Sequence, residues 1–144
     1  MIEKVIYKKK MLALIVRGKY RNKKGITFFT PNESTQQFGY MKHKKNYVIK
    51  PHLHKKRVTK ISYTTEVILL LKGIIRVDFY NSIKKYLFSK ILKPKDIIML
   101  VKGGHGFKVL KEVEMIEIKQ GPYSLSKDKI KFENIDENKI KIKK

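Results

Sequence analysis

The chain has 144 residues and no cysteine, which excludes both a disulfide framework and a thiolate metal site. At this length we expect one domain that buries roughly two-thirds of the surface its unfolded chain would expose. The net charge of +23 comes from 35 basic and 12 acidic residues, but only four basic residues are arginine and the lysines are scattered along the chain. A nucleic-acid surface usually concentrates its charge and uses arginine, so the pattern does not favour nucleic acid as a partner and favours anionic small molecules instead.

The N-terminal third predicts short strands separated by polar turns. Residues 4–20 suit one or two strands that end in a basic turn at 19–25, and further strands are expected at 26–30 and 38–41. The apolar run of residues 11–16 follows basic residues, but it is too short for the core of a signal peptide, and no small-residue cleavage site follows it. We therefore expect a cytoplasmic protein.

From Tyr47 onward, apolar runs recur at short and even intervals. Strands are predicted at residues 47–54, 65–72, 74–80, 86–92, 96–101, 106–110 and 113–120. Such spacing indicates an all-β sandwich or barrel. No helical period appears, and no apolar run is long enough to span a membrane. Residues 124–144 lose the alternation and are mostly charged, so we predict a β-domain over residues 1–123 and an irregular C-terminal arm, partly packed or frayed, over 124–144.

Three histidines and one glutamate form a candidate metal site. His52 and His54 lie two residues apart, so on a strand their imidazoles would share a face and could chelate one ion. His105 follows a pair of glycines, and Glu66 precedes an apolar run. Three imidazoles and one carboxylate suit a divalent ion such as Fe, Mn, Ni or Zn and leave positions open for water or substrate. The alternatives are that the paired histidines are exposed strand residues and that Glu66 faces a neighbouring lysine.

These residues resemble the two sequence motifs of the cupin superfamily. The first motif is an HxH followed by a glutamate, six residues and a glycine, and Glu66 and Gly73 keep that last spacing. The second motif has a turn that ends in aspartate, then a glycine and a single histidine, which match Asp96, Gly103 and His105. The resemblance covers residues 47–110, although the interval from HxH to Glu66 is longer than is usual in cupins. It implies an all-β, cupin-type jelly-roll barrel in which His52, His54, Glu66 and His105 bind the metal.

Further polar residues are candidates for binding substrate. Arg76, Asp78 and Tyr80 alternate with Val77 and Phe79, so one face of this strand is polar and the other apolar. If the polar face lines the barrel, Arg76 would bind a carboxylate or phosphate and Tyr80 would serve in acid–base chemistry. Alternatively, Val77 and Phe79 form the core, and the polar face meets solvent or a partner subunit. The remaining candidates are Arg57, close to the histidines in sequence, and Lys119, Gln120 and Tyr123, close to a Gly-Pro turn.

The resemblance implies a small single-domain cupin that binds a divalent metal and acts on an anionic small molecule, and similarity to small stand-alone cupins favours isomerisation or epimerisation of a sugar derivative. Tyr80 and Glu66 are the candidate catalytic residues. A metal-dependent dioxygenase and a non-catalytic binding or sensor module are the alternatives, because one fold hosts many chemistries. We expect a homodimer, since a long edge strand in a jelly roll often pairs with its copy.

Overall fold

The structure is a computed structural model that describes residues 1–22, 25–124 and 128–144. Part of the predicted basic turn at 19–25 and residues 125–127 of the predicted C-terminal arm therefore lie outside the described residues. The chain divides into two compact units. Unit 1 comprises Met1–Tyr20 and Tyr63–Lys144, and unit 2 comprises Arg21–Ser62.

The described residues form eight strands and no α-helix, which confirms the all-β prediction. The strands are β1 (Ile2–Tyr7), β2 (Lys10–Val16), β3 (Gly25–Phe28), β4 (Gly39–Lys42), β5 (Glu66–Tyr80), β6 (Tyr86–Leu92), β7 (Ile97–Leu100) and β8 (Gly104–Lys119). The only helical element within the described ranges is a single 3-10 turn at Glu137–Lys139. Nowhere in those ranges is a helix both long and apolar enough to cross a bilayer.

Unit 1 is built on one antiparallel sheet with the strand order β1-β2-β7-β5-β6, and β8 pairs with β5. The sheet is curled into a half-barrel. Strand β5 is central, because its first residues pair with β7, its last residues pair with β6, and β8 follows it along its whole length. The jelly-roll topology stays a prediction.

The curl of the sheet follows from how β5 is connected to its neighbours. A straight strand of 15 residues would be about 48 Å long. However, Leu100 at the end of β7 lies opposite Glu66, while Gly104 at the start of β8 lies opposite Tyr80. Three connecting residues span at most about 14 Å, so the two ends of β5 must approach each other. Strand β5 therefore bends, and its two ends reach the same region of unit 1.

Gly73 lies at this bend. Its φ of +84° belongs to the left-handed region that glycine adopts without strain. A Cβ added to Gly73 would lie only 1.9 Å from the carbonyl oxygen of Glu112 on β8. The pairing of β5 with β8 shifts register several times between Leu70 and Ile75, as expected where β-bulges bend a ribbon. The predicted strands 65–72 and 74–80 are thus one bent strand, and 106–110 and 113–120 are another.

The hydrophobic core of unit 1 lies against the core-facing side of this curled sheet. Strand β5 contributes Ile68, Leu70, Ile75, Val77 and Phe79, each at most 3% exposed. These side chains pack with buried residues of β1, β2, β6 and β7. Burial of each such large side chain stabilises the fold by about 1.5–3 kcal/mol. Of the two arrangements open for this strand, the structure has Val77 and Phe79 in the core.

The C-terminal arm contacts the opposite face of β5 and the edge of β6, although most of its described residues are exposed. Phe132 contacts the ring of Tyr80 edge-on at 5.0 Å. Further along, the backbone N–H and C=O of Ser89 on β6 bond the carbonyl of Lys141 at 2.8 Å and the N–H of Lys143 at 2.9 Å. The arm therefore adds a short parallel bridge to the edge of β6. Covering an edge in this way protects it from other chains.

Unit 2 contains the hairpin of β3 and β4 and a long segment without regular structure. The predicted strand at 47–54 is not formed, and this part of the prediction was wrong. Every residue from 44 to 60 is exposed, so the segment has no face to bury. Pro51 also lacks the N–H that a paired strand needs.

Candidate functional site

Glu66 and His105 meet on the core-facing side of unit 1. The Nε2 atom of His105 lies 3.0 Å from Oε2 of Glu66. Glu66 begins β5 on the same face as Ile68 and Leu70, and His105 lies opposite the core residue Phe79. Because the bend brings both ends of β5 together, residues 39 apart in sequence come into contact. The side chain of Glu66 is 7% exposed and that of His105 is 27% exposed, so solvent reaches the pair from the histidine side.

The turn before His105 depends on glycine. Gly103 has a φ of +82°, and a Cβ there would lie 2.7 Å from the carbonyl oxygen of Tyr80. A Cβ on Gly104 would lie 2.9 Å from the ring of Phe132 in the arm. The chain therefore turns sharply at these two glycines. This turn lets β8 start directly beside the end of β5.

The electrostatic surroundings keep Glu66 ionised. The hydrogen bond with His105 and the nearby positive charges lower the pKa of Glu66, and together they outweigh the opposing effect of burial. The other partner of Glu66 is Lys129, whose Nζ lies 3.4 Å from Oε1 of Glu66 and whose side chain is 55% exposed. The carboxylate therefore touches an imidazole on one oxygen and an ammonium group on the other.

Three of the predicted substrate residues lie at the same end of the sheet as Glu66. Lys119 pairs directly opposite Glu66 on β8. Its Nζ bonds Asp128 at 2.5 Å and lies 4.7 Å from the ring centroid of Tyr123. The side-chain oxygen of Gln120 accepts a hydrogen bond from the N–H of Thr65 at 3.1 Å. Lys119, Gln120 and Tyr123 thus lie near the end of β5 at which Glu66 begins.

Arg76 and Tyr80 lie on the opposite face of β5 and hold the arm. The guanidinium of Arg76 donates to Asp78 at 2.8 and 3.0 Å and to Glu137 at 2.7 and 3.0 Å. Both carboxylates raise the pKa of Arg76, and Arg76 together with Lys108 lowers the pKa of Glu137 to about 2. The hydroxyl of Tyr80 accepts a hydrogen bond from the N–H of Ile135 at 3.2 Å, and burial raises the pKa of this hydroxyl.

Sequence reasoning missed this role of the arm. Arg76 and Glu137 are 61 residues apart, and no local pattern links them. The sequence did show that Arg76 and Asp78 alternate with core residues, so that they form a polar face on β5. The structure shows that the C-terminal arm contacts this polar face.

His52, His54 and Arg57 lie in the irregular segment of unit 2. The two imidazole rings are neighbours, with centroids 5.2 Å apart, and Nδ1 of His52 lies 2.9 Å from the carbonyl oxygen of Lys50. The residues proposed as ligands are therefore seen as two adjacent pairs, one in each unit. Over the described ranges, no group of three or more histidine, aspartate or glutamate side chains is placed to hold a metal. The metal stays a prediction.

Asp96, which matches the aspartate of the second cupin motif, has a structural role. Its carboxylate accepts hydrogen bonds from Arg17 and from the N–H of Gly18, both at 2.8 Å, and from the N–H of Lys93 at 3.0 Å. Arg17 in turn bonds Glu3 at 2.6 Å. Asp96 thus fixes the turn before β7 to the end of β2.

No family model, characterised protein or solved structure matches this chain. The resemblance to cupins remains a prediction that rests on the quoted motifs.

Proposed function

We propose that this protein binds an anionic, sugar-linked small molecule at the Glu66–His105 pair and that a divalent metal, one of Fe, Mn, Ni or Zn, is held there. The observation that carries the proposal is the 3.0 Å contact between an ionised carboxylate and an imidazole at the end of the core-facing side of the sheet. His52 and His54, the further ligands predicted from the sequence, lie in unit 2, and their part in metal binding stays a prediction.

The Glu66–His105 distance fits a pair of metal ligands. Two atoms that each lie about 2.1 Å from one cation are about 3 Å apart when the angle between them is near 90°. Imidazole nitrogen and carboxylate oxygen suit the borderline divalent ions, and the absence of cysteine leaves no competing thiolate. Such an ion would polarise a carbonyl of the substrate.

The surroundings of the pair support an anionic ligand. Lys129 is more than half exposed beside Glu66, and Lys119 lies across from Glu66 on β8. The exposed ring of Tyr123 beside Lys119 offers an apolar face on which a sugar ring can pack. In a chain with a net charge of +23, the field also attracts anions. These features support an anionic, sugar-linked ligand, and the reaction we propose for it is isomerisation or epimerisation.

The metal content of purified variants tests the proposal. We expect about one equivalent of a divalent transition metal in the wild-type protein and less than about a tenth of an equivalent in His105→Ala and Glu66→Gln, because a site that loses one ligand binds far more weakly. The measurement is elemental analysis after purification without chelators. His43→Ala, which removes a histidine outside the proposed set, is the matched control and should keep its metal.

The His52→Ala/His54→Ala double variant tests the two predicted ligands of unit 2. Loss of metal from this variant is the expected result if both histidines bind metal. If His105→Ala retains a full equivalent of metal, the result contradicts the proposed metal centre.

A second candidate function is metal-free proton transfer by His105. The direct hydrogen bond between His105 and Glu66 favours it, because a carboxylate bonded to one ring nitrogen orients the imidazole for proton transfer. Turnover of sugar nucleotides by chelator-treated protein would select this mechanism. Binding without conversion would indicate a non-catalytic module, and consumption of dioxygen would indicate an oxygenase.

We also propose that the protein forms a homodimer through β8. Among the described residues, β8 pairs with a strand along one edge only, and Leu110, Ile116 and Ile118 on this strand are each about half exposed. In a strongly basic chain, β8 carries three lysines and three glutamates, so a second copy can approach it without net repulsion. An exposed edge strand with apolar side chains favours pairing with another chain.

Sedimentation equilibrium tests the dimer. We expect a mass of twice 17.1 kDa for the wild-type protein and a monomer for Leu110→Lys/Ile116→Lys, because paired strands would bring the added charges together. Ile83→Lys/Ile130→Lys, which changes two exposed isoleucines outside β8, should stay dimeric. If the wild-type protein is already a monomer at tens of micromolar, this interface does not exist.

A further inference from the structure

Residues 44–60 of unit 2, here called the basic segment, are exposed over their whole length. The segment carries six lysines and Arg57 and has no acidic residue. All of its residues are described, and none belongs to a helix or strand. It is therefore a continuous cationic surface, formed by a part of the chain that contributes nothing to the core.

The basic segment also exposes aliphatic side chains. Val48 is 74% exposed, Leu53 is 96% exposed and Val58 is fully exposed. Single exposed apolar residues are ordinary on protein surfaces. Here, however, three highly exposed aliphatic side chains alternate with lysines, so the surface is both cationic and apolar. Such a surface fits a partner that offers negative charge above an apolar layer.

An anionic lipid bilayer matches both properties. Its phosphate and carboxylate headgroups attract lysine, and the acyl boundary beneath them accepts aliphatic side chains. A second copy of this chain does not match, because the segment has no acidic residue to pair with its own lysines. Nucleic acid matches less well, since the segment offers one arginine and one aromatic residue, Tyr47, for bidentate contacts and base stacking.

We propose that the basic segment docks on the surface of anionic membranes. The lysines contact the headgroups, and Val48, Leu53 and Val58 enter the interface between headgroups and acyl chains. The protein is thereby held at the membrane surface by a segment that does not span it. The variants below leave His52, His54, Glu66 and His105 unchanged, so they test docking apart from the metal binding proposed for those residues.

Co-sedimentation with vesicles tests the proposal. The probes are phosphatidylcholine vesicles with and without 30% phosphatidylserine (about a third anionic lipid, within the range of charged leaflets). We expect binding to the anionic vesicles only, and at least a tenfold weaker partition when the ionic strength is raised from about 0.1 M to about 0.5 M. Each lysine near the surface contributes roughly a factor of five in partition, so Lys44→Gln, Lys45→Gln, Lys55→Gln and Lys56→Gln combined should weaken binding more than about fiftyfold.

Two further variants separate docking from general charge attraction. Lys4→Gln, Lys9→Gln, Lys10→Gln and Lys93→Gln combined make the same change of net charge on exposed residues of unit 1 and should weaken binding less than about threefold. Val48→Ser/Val58→Ser keeps the charge and should weaken binding about tenfold through loss of apolar insertion.

Three results would overturn the proposal. They are no binding to the anionic vesicles, an equal loss in the two lysine variants, and an unchanged partition of the valine variant. If the protein does not bind the vesicles but binds single-stranded RNA tightly, the basic segment is a nucleic-acid-binding surface instead.

Discussion

Replacing Gly73 with alanine should lower the free energy of unfolding by about 3–5 kcal/mol. An L-residue at a φ of +84° is strained by about 1–3 kcal/mol. The new Cβ would also lie 1.9 Å from the carbonyl oxygen of Glu112 and 2.7 Å from that of Lys111, so the backbone of β8 must move. Urea denaturation followed by circular dichroism measures the change.

Gly25 supplies the control for this experiment. Its φ of +86° is nearly the same, but a Cβ there would meet nothing within 4 Å. Gly25→Ala therefore introduces the backbone strain without a steric clash, and it should lower the free energy of unfolding by only about 1 kcal/mol. Equal effects at the two glycines would show that β5 and β8 do not approach each other closely at the bend.

Replacing Arg76 with methionine should destabilise the protein by about 3–5 kcal/mol. The side chains of Arg76 and Asp78 are only 6% and 7% exposed. Without the guanidinium, the carboxylate of Asp78 stays buried with Ser89 as its remaining hydrogen-bond donor, at 2.5 Å. Removal of one partner from a buried ion pair leaves an uncompensated charge, which is strongly unfavourable. The arm would also lose the hydrogen bonds between Arg76 and Glu137.

Lys108 gives a matched comparison, because it contacts the same Glu137 at 2.9 Å but is about half exposed. Lys108→Met should change stability by less than about 1 kcal/mol. The double variant Arg76→Met/Asp78→Leu should recover part of the lost stability, since it also removes the buried, unpaired carboxylate of Asp78. A double variant that is less stable than Arg76→Met would show that packing, and not charge burial, explains the effect.

The strands of unit 1 were largely predictable because short-range sequence patterns determine them. Residues 86–92 were predicted as a strand with the bounds that β6 has, and β7 lies within the predicted 96–101. Turn residues and alternating apolar residues act over a few positions, so they define such elements without knowledge of the fold. The contact between Glu66 and His105 was expected from the spacing of the motifs that resemble cupins.

The features that the sequence analysis missed depend on long-range contacts. Gly73 looked like the end of a strand, because only the partner strand shows that β5 continues through it. The hydrogen bonds between Arg76 and Glu137 were not predicted, because the two residues are far apart in sequence. At residues 47–54, alternation alone predicted a strand, but a strand also needs a partner and a face to bury, and residues 44–60 are exposed throughout.

The nitrogen-15 NMR signals of the His105 imidazole during a zinc titration test the central claim most directly. If Glu66 and His105 form one metal centre, one equivalent of Zn²⁺ should move the Nε2 signal of His105 to the position of a coordinated nitrogen. Glu66→Gln should then weaken that response at least tenfold. An unchanged His105 signal in excess zinc, with the signals of other histidines shifting, would contradict the proposed centre.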